Sequence, residues 1–266
     1  MPLFTDQLGN QVSVPSRPQR IVSLVPSQTE LLYELGLNER VAAITKFCIH
    51  PDAWFRTKVR IGGTKNPDIS RIRELRPDLV LANKEENGKE TVELLALEFP
   101  VWTSDISTLE DALAMIAAVG DMTGTTPRAA ELVVAIQNNF VDLAHAKSRR
   151  RTCYLIWKDP WMTIGGDTFI HDMLERAGFD NMFAASRRYP ETSVSFLREN
   201  HCELLLLSSE PYPFRGKHVQ ELKKELPGTQ VLCVDGEYFS WYGSRLVHAP
   251  AYFAKLQEEI QALSVF

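Results

Sequence analysis

Apolar positions along the chain follow two alternating periods. Short aliphatic and β-branched runs occupy 20–25, 41–45, 78–82 and 101–105, and helical spacing of apolar residues appears at 27–36, 68–75, 88–98 and 108–121. Strand alternating with helix predicts a parallel sheet with both faces covered. The alternation breaks at 127–148, where Ala129, Leu132, Val133, Ile136, Phe140 and Leu143 recur at helical spacing behind Thr126 as N-cap and Pro127 at the first helical position. At 1.5 Å per residue these positions make a rod of roughly 33 Å. A second series follows, with strands predicted at 152–157, 203–208 and 230–235 and helices at 167–177, 193–200, 217–225 and 245–263. Pro250 delays or kinks the last of these helices.

Several local signals mark element boundaries. Arg20-Ile21-Val22-Ser23-Leu24-Val25-Pro26 is a buried strand feeding directly into a helix, with Ser27-x-x-Glu30 as a capping box and Gly36 as the stop. Open α/β sheets bind ligands where a strand's carboxyl end meets a helix N-terminus. Ser107-x-x-Glu110 reads as a second capping box, Asn87-x-x-Glu90 as a third cap, and Gly165-Gly166-Asp167 as a turn with Asp167 capping the next helix. Ser148-Arg149-Arg150-Arg151 reads as a solvated basic helix end.

The opening residues, Phe4-Thr-Asp-Gln-Leu-Gly-Asn-Gln-Val-Ser-Val-Pro15 with Arg17-Pro-Gln-Arg-Ile-Val-Ser-Leu-Val-Pro-Ser-Gln-Thr-Glu-Leu-Leu32, resemble those of class III periplasmic substrate-binding proteins. The likeness continues through Gly62-Gly63 and Ile72-Arg73-Glu74-Leu75-Arg76-Pro77-Asp78-Leu79-Val80-Leu81-Ala82, and is specific to about residue 125. Thr45-Lys46-Phe47-Cys48-Ile49-His50-Pro51 and Lys84-Glu85-Glu86-Asn87 are similar to a cobalamin-binding-like subgroup. The resemblance implies an α/β fold of two lobes, each with a mostly parallel sheet flanked by helices, joined by one long backbone helix. The lobes would span 1–125 and 150–266, with 126–149 connecting them. It also implies capture of a metal-containing organic ligand in a cleft between lobes: a corrinoid such as cobalamin first, haem or a siderophore next.

Composition narrows the alternatives. The chain has 266 residues, 44% hydrophobic and 24% charged, with net charge −5, as expected of an ordinary globule. No basic block points to nucleic acid, and no apolar run is long enough to span a bilayer. Cys48, Cys153, Cys202 and Cys233 show no CxxC or other metal-like spacing, and Cys153 and Cys233 lie in apolar strand-like runs, as core thiols do.

The segments just after each strand face the binding crevice in this architecture. They supply Phe47, Cys48, His50 and Lys84 from the first half and Trp157, Trp161, Tyr212, Trp241, Tyr242 and Arg245 from the second. Aromatic rings on polar, Gly- and Pro-bearing loops suit a flat or bulky apolar ligand, and Arg245 suits a ligand carboxylate. His50 is a candidate axial ligand to a chelated metal. Cys48 and His50, with Glu85, Glu86, Asp235 or Glu237, leave two rival readings open: a Cys/His- or metal-dependent enzyme, and a direct metal-ion binder.

Transporting members of the resembled family dock onto an ABC permease through one glutamate per lobe. Here the matching positions are Ser70 and Ser195, with Asp68, Glu74, Glu191 and Glu199 nearby. That puts a permease partner in question. Together with the absence of an export signal ahead of Met-Pro-Leu-Phe-Thr-Asp, it gives the expectation of a cytoplasmic protein; the alternative is a periplasmic one whose signal was trimmed.

Overall fold

The structure is a computed structural model that describes residues 1–141, 143 and 149–263. The chain forms two compact units. The first comprises Met1–Ile106, Glu110–Ile136 and Tyr242–Arg245; the second comprises Ser107–Leu109, Gln137–Trp241 and the stretch from Leu246 onward. The chain thus passes between units within the expected long helix and also at two short segments, 107–109 and 242–245, which the sequence did not mark.

The first unit opens with an antiparallel pair, β1 (Leu3–Thr5) and β2 (Gln11–Ser13). Its main sheet is built from β3 (Ile21–Ser23), β4 (Val41–Ile44), β5 (Val59–Arg60), β6 (Leu79–Asn83) and β7 (Val101–Ser104), all parallel, in the order β5-β4-β3-β6-β7. Between the strands run α1 (Pro26–Glu34), α2 (Asp52–Thr57), α3 (Ile69–Leu75) and α4 (Lys89–Ala96), followed by α5 (Leu109–Thr123) and α6 (Thr126–Val141). Every residue of β3 and β6, the central strands, is buried, as covering on both faces requires, and so is every residue of the edge strand β7. Strand order reverses beside β3: the chain builds outward through β4 and β5, then returns to place β6 on the other flank.

The second unit has a four-stranded parallel sheet ordered β11-β10-β8-β9, from β8 (Arg150–Leu155), β9 (Phe179–Asn181), β10 (Leu204–Ser208) and β11 (Gln230–Val234). Its helices are α7 (Phe169–Arg176), α8 (Val194–Glu199), α9 (Gly216–Glu225), α10 (Glu237–Ser240) and α11 (Ala249–Ala262). Here the order reverses between β8 and β10. Cys153, Leu155, Leu205, Leu207 and Leu222 form the centre of one core cluster.

The predicted boundaries hold better than the predicted caps. Gly36 closes α1 as expected: at φ +76° its N–H reaches Tyr33 O, and Leu37 N–H reaches Leu32 O, which completes a Schellman motif. The capping box does not form. Pro26 takes the first helical position, so the cap falls on Val25, which has no side-chain oxygen, and Ser27 lies inside the first turn. Thr126 is already helical and its hydroxyl bonds Asp121, so it is not the cap of α6. Residues 142 and 144–148, the predicted end of that helix with Ser148 of the basic run, lie outside the described residues. Thr168, not Asp167, caps α7; Asp167 instead accepts the Arg188 N–H. Pro250 stands near the start of α11, which begins at Ala249 after a short 3₁₀ turn at Ser244–Val247. Cys153 is a core thiol, but Cys233 is exposed, because the alternation along β11 turns that side chain outward.

Candidate functional site

In the second unit the order reversal places two loops side by side, those after β8 and β10. Crevices of open α/β sheets form at such points, outside the carboxyl ends of the strands. Trp157 and Trp161 come from the first loop, Tyr212 from the second. Trp157 meets Tyr212 edge-on at 5.6 Å between ring centroids, and Trp161 stacks on Phe214 at 6.1 Å. Tyr212 also leans on Phe214 at 4.6 Å and on His218 at 5.6 Å. Phe214 is buried in the core, so the aromatic group is anchored from below, while Trp157 keeps 41% of its surface exposed. A supported ring with an open face is what an apolar ligand wall requires. Lys158 lies 5.1 Å from the Trp161 ring centroid and its ammonium pairs with Glu221 at 2.8 Å.

Trp241 is placed differently. It is 6% exposed, and its indole N–H donates to Glu210 Oε1 at 2.9 Å, an oxygen that also accepts the Ser240 hydroxyl at 2.6 Å. Its surface is used in packing, not offered to a ligand. Tyr242 is buried to the same degree.

In the first unit the corresponding loops follow β3 and β6, and a buried amide web fixes them. Asn83 donates to Ser104 Oγ and accepts the N–H groups of Glu85 and Glu86 through Oδ1. Asn87 accepts Asn83 N–H at 2.8 Å and donates to Leu24 O and Thr64 O. Asn87 therefore ties three loop ends together instead of capping α4, whose cap is Gly88. Lys84 projects from this loop and pairs with Asp105 at 2.6 Å.

After β4, Phe47 is 52% exposed, and its ring comes within 3.4 Å of where a Cβ on Gly63 would lie. Lys46 stands 5.0 Å from the ring centroid. His50 is half-buried on the same loop. Cys48 is fully buried, and its sulfur is held by the hydroxyls of Thr29 and Thr45, each at 3.1 Å. Burial pushes its thiol pKa up. It therefore presents neither a nucleophilic thiolate nor an accessible metal ligand, and the Cys48/His50 pairing falls. Among the described residues, no three His, Cys, Asp or Glu side chains stand together as a metal-ion site.

Arg245 is also committed elsewhere. Its guanidinium makes a bidentate pair with Glu30 of α1, at 3.0 and 2.7 Å, with both side chains mostly shielded. Gly243 explains how this segment docks: a Cβ there would lie 2.4 Å from Ser27 O. The expected site residues thus divide. Trp157, Trp161 and Tyr212 come together, Phe47 and Lys84 stand at loop surfaces, and Cys48, Trp241, Tyr242 and Arg245 are occupied. Phe214 and His218, which complete the aromatic group, were not singled out from sequence. Phe214 follows two residues after Tyr212 on the same loop, and His218 carries no signal that separates it from the other polar residues of α9.

Parallel sheets, with aromatic loops at the order reversal of the second, define a ligand-binding α/β protein. Residues 21–230 match the family model described as periplasmic binding protein, and the chain belongs to that family. It is 29% identical over 185 residues to the uncharacterized ABC transporter substrate-binding lipoprotein YvrC of Bacillus subtilis, an alignment covering 65% of this chain and 58% of that one. It is 24% identical over 239 residues to the vitamin B12-binding protein of Pectobacterium carotovorum, covering 87% and 86%. Its fold is similar to the periplasmic vitamin B12-binding protein BtuF of Vibrio cholerae, with TM-score 0.76, 20% identity and coverage of 93% and 99%. The periplasmic haem-binding protein RhuT from Roseiflexus sp. RS-1 is similar in the same way, with TM-score 0.74, 20% identity and coverage of 89% and 98%. These findings overturn the cytoplasmic expectation: the family is periplasmic, and the matched relatives are a lipoprotein and periplasmic binding proteins. Serines at two surface positions carry no information about compartment.

Proposed function

We propose that this chain captures a metal-containing organic compound, a corrinoid before haem or a siderophore, on the loops at the carboxyl ends of its strands. The observation that carries this reading is the supported aromatic group of Trp157, Trp161 and Tyr212 at the order reversal of the second sheet, with Trp157 open at its face. The vitamin B12-binding and haem-binding names of its relatives support the ligand class. The first unit, by itself, presents an exposed ring in Phe47, a polar anchor in Lys84 and a candidate axial donor in His50. Titration of the purified protein with cyanocobalamin and with haem, followed by visible absorption, tests this directly. Saturable spectral change with one of them, and none with a metal-free porphyrin or corrin control, is expected. Equal response to all three rejects the metal-chelate reading.

Delivery to an ABC permease belongs to the same proposal, but not through the two-glutamate dock. Ser70 and Ser195 are exposed, each the second residue of its helix, α3 and α8. A serine hydroxyl cannot form the bidentate charged pair that a carboxylate makes with arginine. The exposed acids Glu74 and Glu199 lie one turn further along the same helices. Stimulation of a partner permease's ATPase that drops on Glu74→Gln and Glu199→Gln is the expected result. Stimulation unchanged by both removes these acids from the dock.

A further inference from the structure

The loop after β10 and the head of α9 enclose a pocket of about 410 Å³ lined by Tyr212, Pro213, Arg215, Lys217 and His218. Four features of this pocket point to negative charge. First, α9 is ten residues long; the Arg215 and His218 N–H groups at its head bond His218 Nδ1 and Arg215 O, which leaves the Gly216 and Lys217 N–H groups without a partner among the described residues. A Cβ built on Gly216 meets nothing within 4 Å, so the head of the helix is open, and its first turn carries no acidic residue. Second, Arg215 and Lys217 bring two exposed cations, and no described carboxylate forms an ion pair with either. The nearby acid, Glu221, is held by Lys158 at 2.8 and 2.9 Å. Third, His218 is only 4% exposed, yet it lines the pocket. Its Nδ1 accepts the Arg215 N–H at 3.0 Å, which places the proton of the neutral ring on Nε2. Fourth, Nε2–H has no protein acceptor among the described residues, and the ring lines the pocket, so this donor is available to an occupant.

We propose that this pocket is an oxyanion subsite that takes the carboxylate or phosphate group of the bound compound. This rests on reading the β10–α9 loop as part of the ligand site. Amides at the helix head, two cations and an imidazole N–H supply donors on one side, and Tyr212 places a ring beside them for the rest of the ligand. The other charges facing His218 are Lys217, Lys158 and Glu221; burial, and then the two lysines, hold its pKa below the ordinary histidine value. An anion in the pocket offsets those lysines, so occupancy raises that pKa.

The test is titration of the intact protein with inorganic phosphate and, in parallel, acetate, at constant ionic strength, reading the His218 ring signals by ¹H–¹⁵N NMR. Saturable displacement of Nε2 with an upward shift of its pKa is expected, and the tighter of the two ions names the group. Arg215→Ala combined with Lys217→Ala should weaken binding about tenfold or more. His218→Gln keeps an acceptor for the Arg215 N–H, and so the helix start, but should weaken phosphate as well. No saturable shift, or the same shift from sodium chloride, overturns the proposal. Haem and cyanocobalamin titrations of the double variant separate it from the broader reading. Unchanged chelate affinity overturns the subsite while the chelate reading stands. Phosphate binding to wild type without any chelate binding leaves the anion site standing and removes that reading.

Discussion

His218 and the four cysteines show how burial sets chemistry residue by residue. Burial and the Lys217 and Lys158 charges lower the His218 pKa in the folded protein. The unfolded chain therefore takes up this proton more readily than the native one. Stability from a neutral His218 is fully present above the ordinary histidine value of about 6.5 and is lost as pH falls through it toward the folded value. Urea midpoints recorded from pH 8 to pH 5 should decline, and His218→Gln should flatten part of that decline. An unchanged slope removes His218 from the account. The thiols make a separate prediction. Cys48, Cys153 and Cys202 are buried and their pKa values are raised, that of Cys202 to about 11; Cys233 is exposed. Reaction follows the thiolate and access to it. A chromogenic disulfide reagent should titrate one thiol quickly in the native protein and the other three only in denaturant, with Cys233→Ser abolishing the fast phase. A second fast thiol would show that one of the buried three is reachable.

At the scale of elements, Asn87 makes the sharpest prediction, because sequence and structure assign it different work. As a helix cap it would act with Glu90; as observed, it satisfies the buried Asn83 N–H and the carbonyls of Leu24 and Thr64. Asn87→Ala should therefore cost about 2–3 kcal/mol by leaving buried backbone groups unpaired, whereas Glu90→Ala should stay within about 0.5 kcal/mol. Equal small losses in denaturant titration would restore the cap. The contrast shows what was legible. Strands β3, β4, β6, β7, β8, β10 and β11 could be read because they are mostly buried aliphatic runs bounded by polar loops, and parallel order follows from their alternation with helices. α2, β5, β9 and α10 went unread because they are short, two to six residues, and carry neither an unbroken aliphatic run like that of β3 nor a cap like Ser193 of α8. The caps misled because capping-box spacing also occurs where proline takes the first helical position, as at Pro26, or where a side chain finds a tertiary partner, as Asn87 does. Nothing local in residues 107–109 or 242–245 tells which unit they join; their place is set by partners far away in sequence, as Arg245 is by Glu30.

For the molecule as a whole, the decisive question is whether exposed rings bind and buried ones hold. Sequence placed Trp157 and Trp241 in the same list, since both follow strands and both are tryptophans on polar loops. The structure separates them by exposure and by hydrogen bonding. Trp157 keeps 41% of its surface exposed, meets Tyr212 edge-on and bridges to Met162 through its backbone. Trp241 is buried and donates to Glu210. Removing a ring from a ligand wall forfeits buried apolar area only when ligand is present, on the order of 1–3 kcal/mol of affinity, or roughly 5- to 150-fold in Kd. Removing a packed indole forfeits core area in the free protein and one of the hydrogen bonds to the Glu210 carboxylate, for about 3–5 kcal/mol of stability. Trp157→Ala should thus weaken capture of the chelate that the absorption titration identifies while leaving the urea midpoint near wild type. Trp241→Ala should lower the midpoint by a large margin and, in the fraction that remains folded, bind nearly as well as wild type. The two variants exchange signatures if Trp241 is the ligand's ring. A midpoint loss for Trp157→Ala with intact affinity would move the ligand wall away from the second sheet's order reversal altogether, leaving Phe47 and its neighbours on the first unit as the ring to test next.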